Sequence, residues 1–443
     1  MNDRHWIARG IARALLARFR ENGDFSAEGL LAQASMALNG NPPWLKRLIR
    51  PLAKLSLPTW QNFTVDTLSE RLMKDARFDE AFRQVESPRI RQLFMHRATM
   101  GLRPFALQDC ELPAITDDVM LAEFLKVSTE QLHWLAPELP LERLPGAGHY
   151  RYRLIPKASG GLRLLEMPKA RMKAAQRQLL DKLLNRIPLH EAAHGFCAGR
   201  SVISHALMHS GQDVVIRFDL KDFFTSITAA RVHAIFRTLG YPEGVSKALT
   251  TICTNRTSRM IVERLLDERG VHAGAAQRLR IPHLAQGAPS SPTLANLAAF
   301  SLDLRLSGLA DKFGARYSRY ADDLVFSGEK HLRADFRVFA VWVKAIIESE
   351  GFILHPDKTR CMPAHQQQRI TGVVVNTKTN LSREEFDHLK ARLHQCVVNG
   401  VASQNSMGHP DFKAYLQGRI AWARQLNASK AQRLQRLFDQ ITW

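Results

Sequence analysis

The chain has 443 residues, room for about three units at roughly 150 residues per domain. Hydrophobic residues make up 45% and charged residues 23%, which excludes collagen-like, coiled-coil and disordered classes. Sixty-two Lys and Arg against 42 Asp and Glu leave +20, and without an apolar run of membrane length that charge points to nucleic acid rather than a membrane partner.

Residues 1–125 read as a helical N-terminal accessory region with no visible chemistry. HWIARGIARALLARFR is a basic amphipathic helix with Ile7, Ile11, Leu15 and Phe19 at helical spacing. Its composition resembles a transit peptide, but it runs unbroken into folded-looking sequence and reads as part of the mature protein. Breaks are expected at Asn41-Pro42-Pro43 and Leu57-Pro58, and a helix from Thr116 to Leu125. Residues 126–147, with Pro137, Pro140 and Pro145 after the Ser128–Leu135 segment, read as a linker. The five cysteines (Cys110, Cys197, Cys253, Cys361, Cys396) are scattered and lack CxxC spacing, which argues against disulfides or zinc and for a reducing, cytoplasmic setting.

From His149 the chain turns strongly basic. Two β-like runs, YRLIP and LRLLEMP, flank Ser159-Gly160-Gly161 as a hairpin, and a helix is expected from about 169 to 186. Strands and helices then alternate to about residue 380, an α+β pattern, and the remainder reads as helical.

The strongest chemical signal is RYADDLVFSG, two β-prone runs around a very short turn bearing Asp322 and Asp323. Adjacent carboxylates at a hairpin tip repel each other, and a hard divalent cation shared with a third carboxylate relieves that repulsion. VVIRFDLKDFF supplies the third at a strand end, Asp219. Three carboxylates from neighbouring strand ends make a two-metal phosphoryl-transfer site, with Asp222 left outside the ligand set.

The order of FDLKDFFTSI, QGAPSSPTLANL, YADD, GFILHPDKTR and ITGVVVN resembles that of reverse transcriptases, the bacterial retron type in particular, over about residues 148–443. HGFCAGRS and YLQGRIAWARQLN are similar to retron enzymes as well. Two positions depart from the pattern: Ile370 stands where Val is usual, and His205 where Asn is usual, while His209 matches. The resemblance implies a right-hand polymerase with fingers 148–210, palm 211–380 and thumb 381–443. It implies two Mg2+ ions held by Asp219, Asp322, Asp323 and the carbonyl of Leu220, with Lys358 as proton donor to pyrophosphate. Lys157 and Arg163 would contact the triphosphate, Gln286 and Gly287 would lie beneath the incoming nucleotide, and Phe224 would exclude a ribose 2′-OH. Arg200, His209, Thr371, Gly372 and Arg419 would touch nucleic acid.

The implied reaction is RNA-directed DNA synthesis from dNTPs. The enzyme would copy its own structured non-coding RNA from a 2′-OH primer into a branched RNA–DNA hybrid, in antiviral defence with an effector protein. Two other readings stay open: a defence-associated reverse transcriptase with another template or priming mode, and a catalytically silent RNA-binding scaffold.

Overall fold

The computed structural model describes residues 3–83, 88–94, 99–137, 148–156, 160–268, 270–406 and 408–443. It divides into two compact units, Met1–Thr99 and Met100–Trp443. In the first, the helix Asp3–Asn22 lays Ile7, Ile11 and Leu15 into a core with Leu30, Trp44, Leu48, Trp60 and Phe78. Spacing of four residues keeps these side chains on one stripe. The prolines stand where one helix gives way to the next, opening Pro43–Leu52 and Leu57–Asn62. A first-turn N–H has no helical partner anyway, so proline is tolerated there.

The expected boundary at 125 and the linker over 126–147 both need correction. The second unit begins at Met100, and Leu112, Ile115, Leu121 and Leu125 are buried in its principal core. A helix, Thr129–Leu135, capped by Ser128, lies inside the expected linker and buries Leu132 and Leu135 in that core. Two leucines on two helical turns give too short a period to stand out beside three prolines. Residues 138–147 lie outside the described residues.

Two strands, β1 (Tyr150–Pro156) and β2 (Leu162–Pro168), pair antiparallel with Arg163 opposite Ile155. Four more, β3 (Val214–Asp219), β4 (Arg316–Tyr320), β5 (Asp323–Gly328) and β6 (Arg360–Pro363), form an antiparallel sheet in the order β4-β5-β3-β6. Alternate side chains of a strand face opposite ways. Val214, Ile216, Phe218, Leu324 and Phe326 enter the principal core with Leu302, Leu306, Phe339 and Val343. Val215 and Val325 enter a second core with Phe386, Leu393, Leu416, Ile420 and Leu434, carried by the helices Arg383–Asn399, Phe412–Leu426 and Ala428–Phe438. The sheet is therefore buried on both faces. Tyr415, on the helix Phe412–Leu426, is exposed. Among the described residues no helix is long and apolar enough to cross a membrane, and all five cysteines are free.

A chain starting at Met100 should be soluble and unfold cooperatively, whereas one starting at 126 should not. Each buried Leu or Ile contributes roughly 1.5–3 kcal/mol, so losing Leu112, Ile115, Leu121 and Leu125 removes about 6–12 kcal/mol, comparable to the whole stability of a domain. Circular dichroism melts of the two truncations check this.

Candidate active site

The sheet register brings the acids together. Asp219, the last residue of β3, pairs with Asp323, the first of β5. Asp323 also pairs with Tyr320 across the turn Ala321-Asp322. Both flanks of the strand end are pinned, since Leu220 N donates to Asp322 O at 2.8 Å and His355 N to Asp219 O at 2.7 Å.

That turn holds Ala321 at φ +56, a region residues with a Cβ rarely occupy. Its support is the fully buried Arg319. Arg319 Nη1 donates to Ala321 O and Asn296 Oδ1, both at 3.0 Å, while Nε and Nη2 fork onto Asp303 at 2.8 and 2.6 Å. Tyr317 Oη donates to Asp303 at 2.8 Å, and Asn296 Nδ2 to Gly195 O at 2.8 Å. Gly195 must be glycine, because a Cβ there would lie 2.8 Å from Ala321 N. Neither Arg319 nor Asp303 was singled out by sequence: Asp303 sits in an unremarkable amphipathic helix, and only the tertiary fold shows its partner.

Cations answer the clustered negative charge. Asp323 is 5% exposed; its Oδ1 accepts from Arg217 Nε at 2.5 Å, and its Oδ2 is buried without a partner. Burial pushes the Asp323 carboxyl up to about 6, with Arg217 opposing and the neighbouring carboxylates adding to the rise. Burial and then the Asp219 charge raise Asp322 as well, against Lys358 and Arg163. Both oxygens of Asp219 accept from Lys358 Nζ, at 2.8 and 3.0 Å.

Asp219, Asp322 and Asp323 are expected to gather around an ion. The backbone brings them to one strand end, yet among the described residues no three Asp, Glu, His or Cys side chains are grouped to hold a metal. Arg217 and Lys358 hold two of the carboxylates. The donor set still fits a hard divalent cation: it is all oxygen, poorly compensated, and includes a buried oxygen with no partner.

The remaining residues divide. Phe224 is half-buried at the start of the turn Phe224–Ser226, while Phe223 enters the core. Asp222 is ion-paired with Arg278, outside the carboxylate set. Gln286 O accepts from Glu166 N at 2.9 Å, and Gly287, at φ +128, would place a Cβ 3.0 Å from Glu166 O. The backbone at Gly287 thus closely approaches β2. Glu166 itself is buried and accepts from Asn255 and Thr257 at 2.8 Å and from His283 at 3.0 Å. Arg163 is exposed on β2 with its charge reaching Asp322. Lys157 lies outside the described residues.

Two nucleic-acid assignments need correction. Arg200 Nη1 donates to the carbonyls of His190, Glu191 and Ala193 at 2.8, 2.9 and 2.5 Å, stapling its own loop. His209 is fully buried with its ring nitrogens 2.7 Å from Ser327 and Ser318 Oγ, and burial pushes its pKa down to about 3, so it is neutral and out of reach of a strand. Sequence spacing cannot separate an arginine aimed at phosphate from one aimed at carbonyls. Thr371 and Gly372, at φ +44 and +90, form the two-residue turn between Arg369–Ile370 and Val373–Val374. Arg419 is half-buried on the helix Phe412–Leu426.

Residues 155–375 match the family model for reverse transcriptase (RNA-dependent DNA polymerase). The chain is 40% identical over 325 residues to the retron Mx65 reverse transcriptase of Myxococcus xanthus, covering 73% of this chain and 72% of that protein. It is 39% identical over 288 residues to the retron Mx162 reverse transcriptase of the same organism, covering 62% and 57%. The retron Ec86 reverse transcriptase of Escherichia coli is 30% identical over 301 residues, covering 66% of this chain and 82% of that one.

Asp303→Asn should destabilise the second unit by about 3–5 kcal/mol, because it leaves the Arg319 guanidinium buried without its counter-charge. Urea unfolding of parent and variant measures the difference.

Proposed function

Since the chain belongs to the retron-type bacterial reverse transcriptases and is an RNA-directed DNA polymerase, we propose that it copies a structured non-coding RNA into DNA at the paired ends of β3 and β5. The observation that carries this reading is the register opposing Asp219 to Asp323 with Asp322 in the adjoining turn. These three, with the Leu220 carbonyl, would hold two Mg2+ ions, which supply charge compensation and a more acidic primer hydroxyl.

The chain's own residues do the rest. Lys358 lies on Asp219 and, released from it, presents an ammonium that can protonate a departing pyrophosphate. Arg163 offers a cation to a triphosphate through its fork geometry, and Lys157, six positions earlier in the sequence, would add a second. Gln286 and Gly287, tied to β2 through Glu166, form the floor for the nucleotide. The half-buried Phe224 would occupy the volume a ribose 2′-OH needs. Thr371, Gly372 and the basic C-terminal helices, Arg419 among them, would carry the primer–template strands through phosphate contacts.

The same reading extends to priming from a 2′-OH of the RNA, a branched RNA–DNA product and an antiviral role with an effector protein.

Replacing both Asp322 and Asp323 by Asn should reduce Mg2+-dependent extension on an RNA template on the order of a thousandfold, several kcal/mol of lost charge stabilisation; equal incorporation by both proteins would refute the assignment. In the parent, extension should decline as pH falls through about 6. The raised Asp323 carboxyl takes up a proton there and loses the charge that a metal requires.

Nucleic acid that copurifies with the protein should contain DNA joined 2′–5′ to one RNA species. Sequencing before and after debranching reads this out, and RNA without attached DNA would point to another priming mode.

A further inference from the structure

Phe196 stands beside the site on a firmly held segment. The segment His190–Arg200 is held unusually firmly. His194 N donates to Arg319 O and Arg319 N to Ala192 O, both at 2.7 Å. Asn296 fixes Gly195 O, Arg200 Nη1 takes three carbonyls, and Cys197 Sγ donates to Ala193 O and Gly195 O at 3.2 and 3.3 Å. Phe196 is presented from this frame at φ +60, with the residue 47% exposed. A left-handed backbone is disfavoured for a residue with a Cβ, and an exposed benzyl group gains little from burial, so neither local preference nor the core explains the arrangement.

The ring contacts give a reason. Phe196 lies 6.3 Å from the Phe224 ring, at 55°, and 6.2 Å from the Tyr320 ring, at 42°. Phe223 packs on Phe224 at 5.6 Å from the core side. Phe224 thus has two aromatic neighbours, the core ring of Phe223 and the exposed Phe196. Tyr320 stands two residues before Asp322, so the contact also ties the Phe224 ring to the carboxylate turn. A half-buried ring that must reject one hydroxyl needs its position fixed closely, because small displacements of a discriminating group lose much of its effect.

We propose that Phe196 is a positioning residue for Phe224 and thereby helps set the preference for deoxyribonucleotides over ribonucleotides. This rests on the reading of Phe224 as the group that excludes the 2′-OH. It acts through Phe224, without itself touching the reacting atoms.

The test measures kcat and KM for a dNTP and the matching rNTP with the full chain, Mg2+ and a primed RNA template. Phe196→Ala should lower the dNTP-to-rNTP ratio of kcat/KM by roughly three- to tenfold, the range of aromatic pair energies, chiefly through a lower KM for the rNTP. Phe196→Tyr should stay near the parent ratio, and Phe196→Ala combined with Phe224→Ala should match Phe224→Ala alone. Phe196→Gly suits the positive φ and removes the ring, so it serves if the alanine variant does not fold. An unchanged ratio in Phe196→Ala or Phe196→Gly overturns the proposal, as does an effect that adds in full to that of Phe224→Ala. An unchanged ratio in Phe224→Ala instead removes the reading of Phe224 and the proposal with it.

Discussion

Antiparallel pairing of β3 with β5 sets two carboxylates opposite each other where little water reaches them, and much of the surrounding structure answers that repulsion. Like charges in a low-dielectric setting raise one another's proton affinity unless cations intervene. Arg217 and Lys358 are those cations in the protein alone. Neither compensates Asp323 fully, since its second oxygen stays buried and unpartnered. A divalent ion would therefore enter a site already organised for positive charge, displacing two internal counter-ions rather than filling a neutral hollow.

Beneath the acids, charge is used differently. The Arg319–Asp303 pair is completely buried, and its gain lies less in attraction than in geometry. It fixes Ala321 in a conformation that the turn alone would not hold. A second buried cluster, Glu166 with His283, Asn255 and Thr257, does comparable service for the ribbon of β1 and β2. Through Glu166 N and the Cβ-free Gly287 it holds that ribbon against Gln286. The ribbon of β1 and β2 thus meets the segment carrying Gln286 and Gly287 through backbone contact.

Much of this was legible in the sequence because the decisive features are local. A strand ending in Asp219 and a turn carrying Asp322 and Asp323 need only period-two patterning and a short break, and the sheet placed them together. Ile7, Ile11 and Leu15 declared their helix by spacing. What escaped depends on partners far along the chain. Asp303 and Arg319 look ordinary until one is packed on the other, and the basic side chain of Arg200 gives no sign that it turns onto its own loop. The accessory boundary was placed 26 residues late (125 against 99) because the core residues between 112 and 125 lie on short helices and irregular stretches whose apolar pattern is weak.

The second core has a mechanical meaning. Val215 and Val325 share one apolar body with Leu393, Leu416 and Ile420, so the C-terminal helices are anchored to the very strand pair that ends in the acids. A lobe joined by a loop could swing without disturbing its neighbour. Here any shift of those helices is transmitted to the strands as shear, because close-packed interiors pass strain on instead of absorbing it. The placement of those helices and the alignment of the acids are therefore set by one close-packed joint.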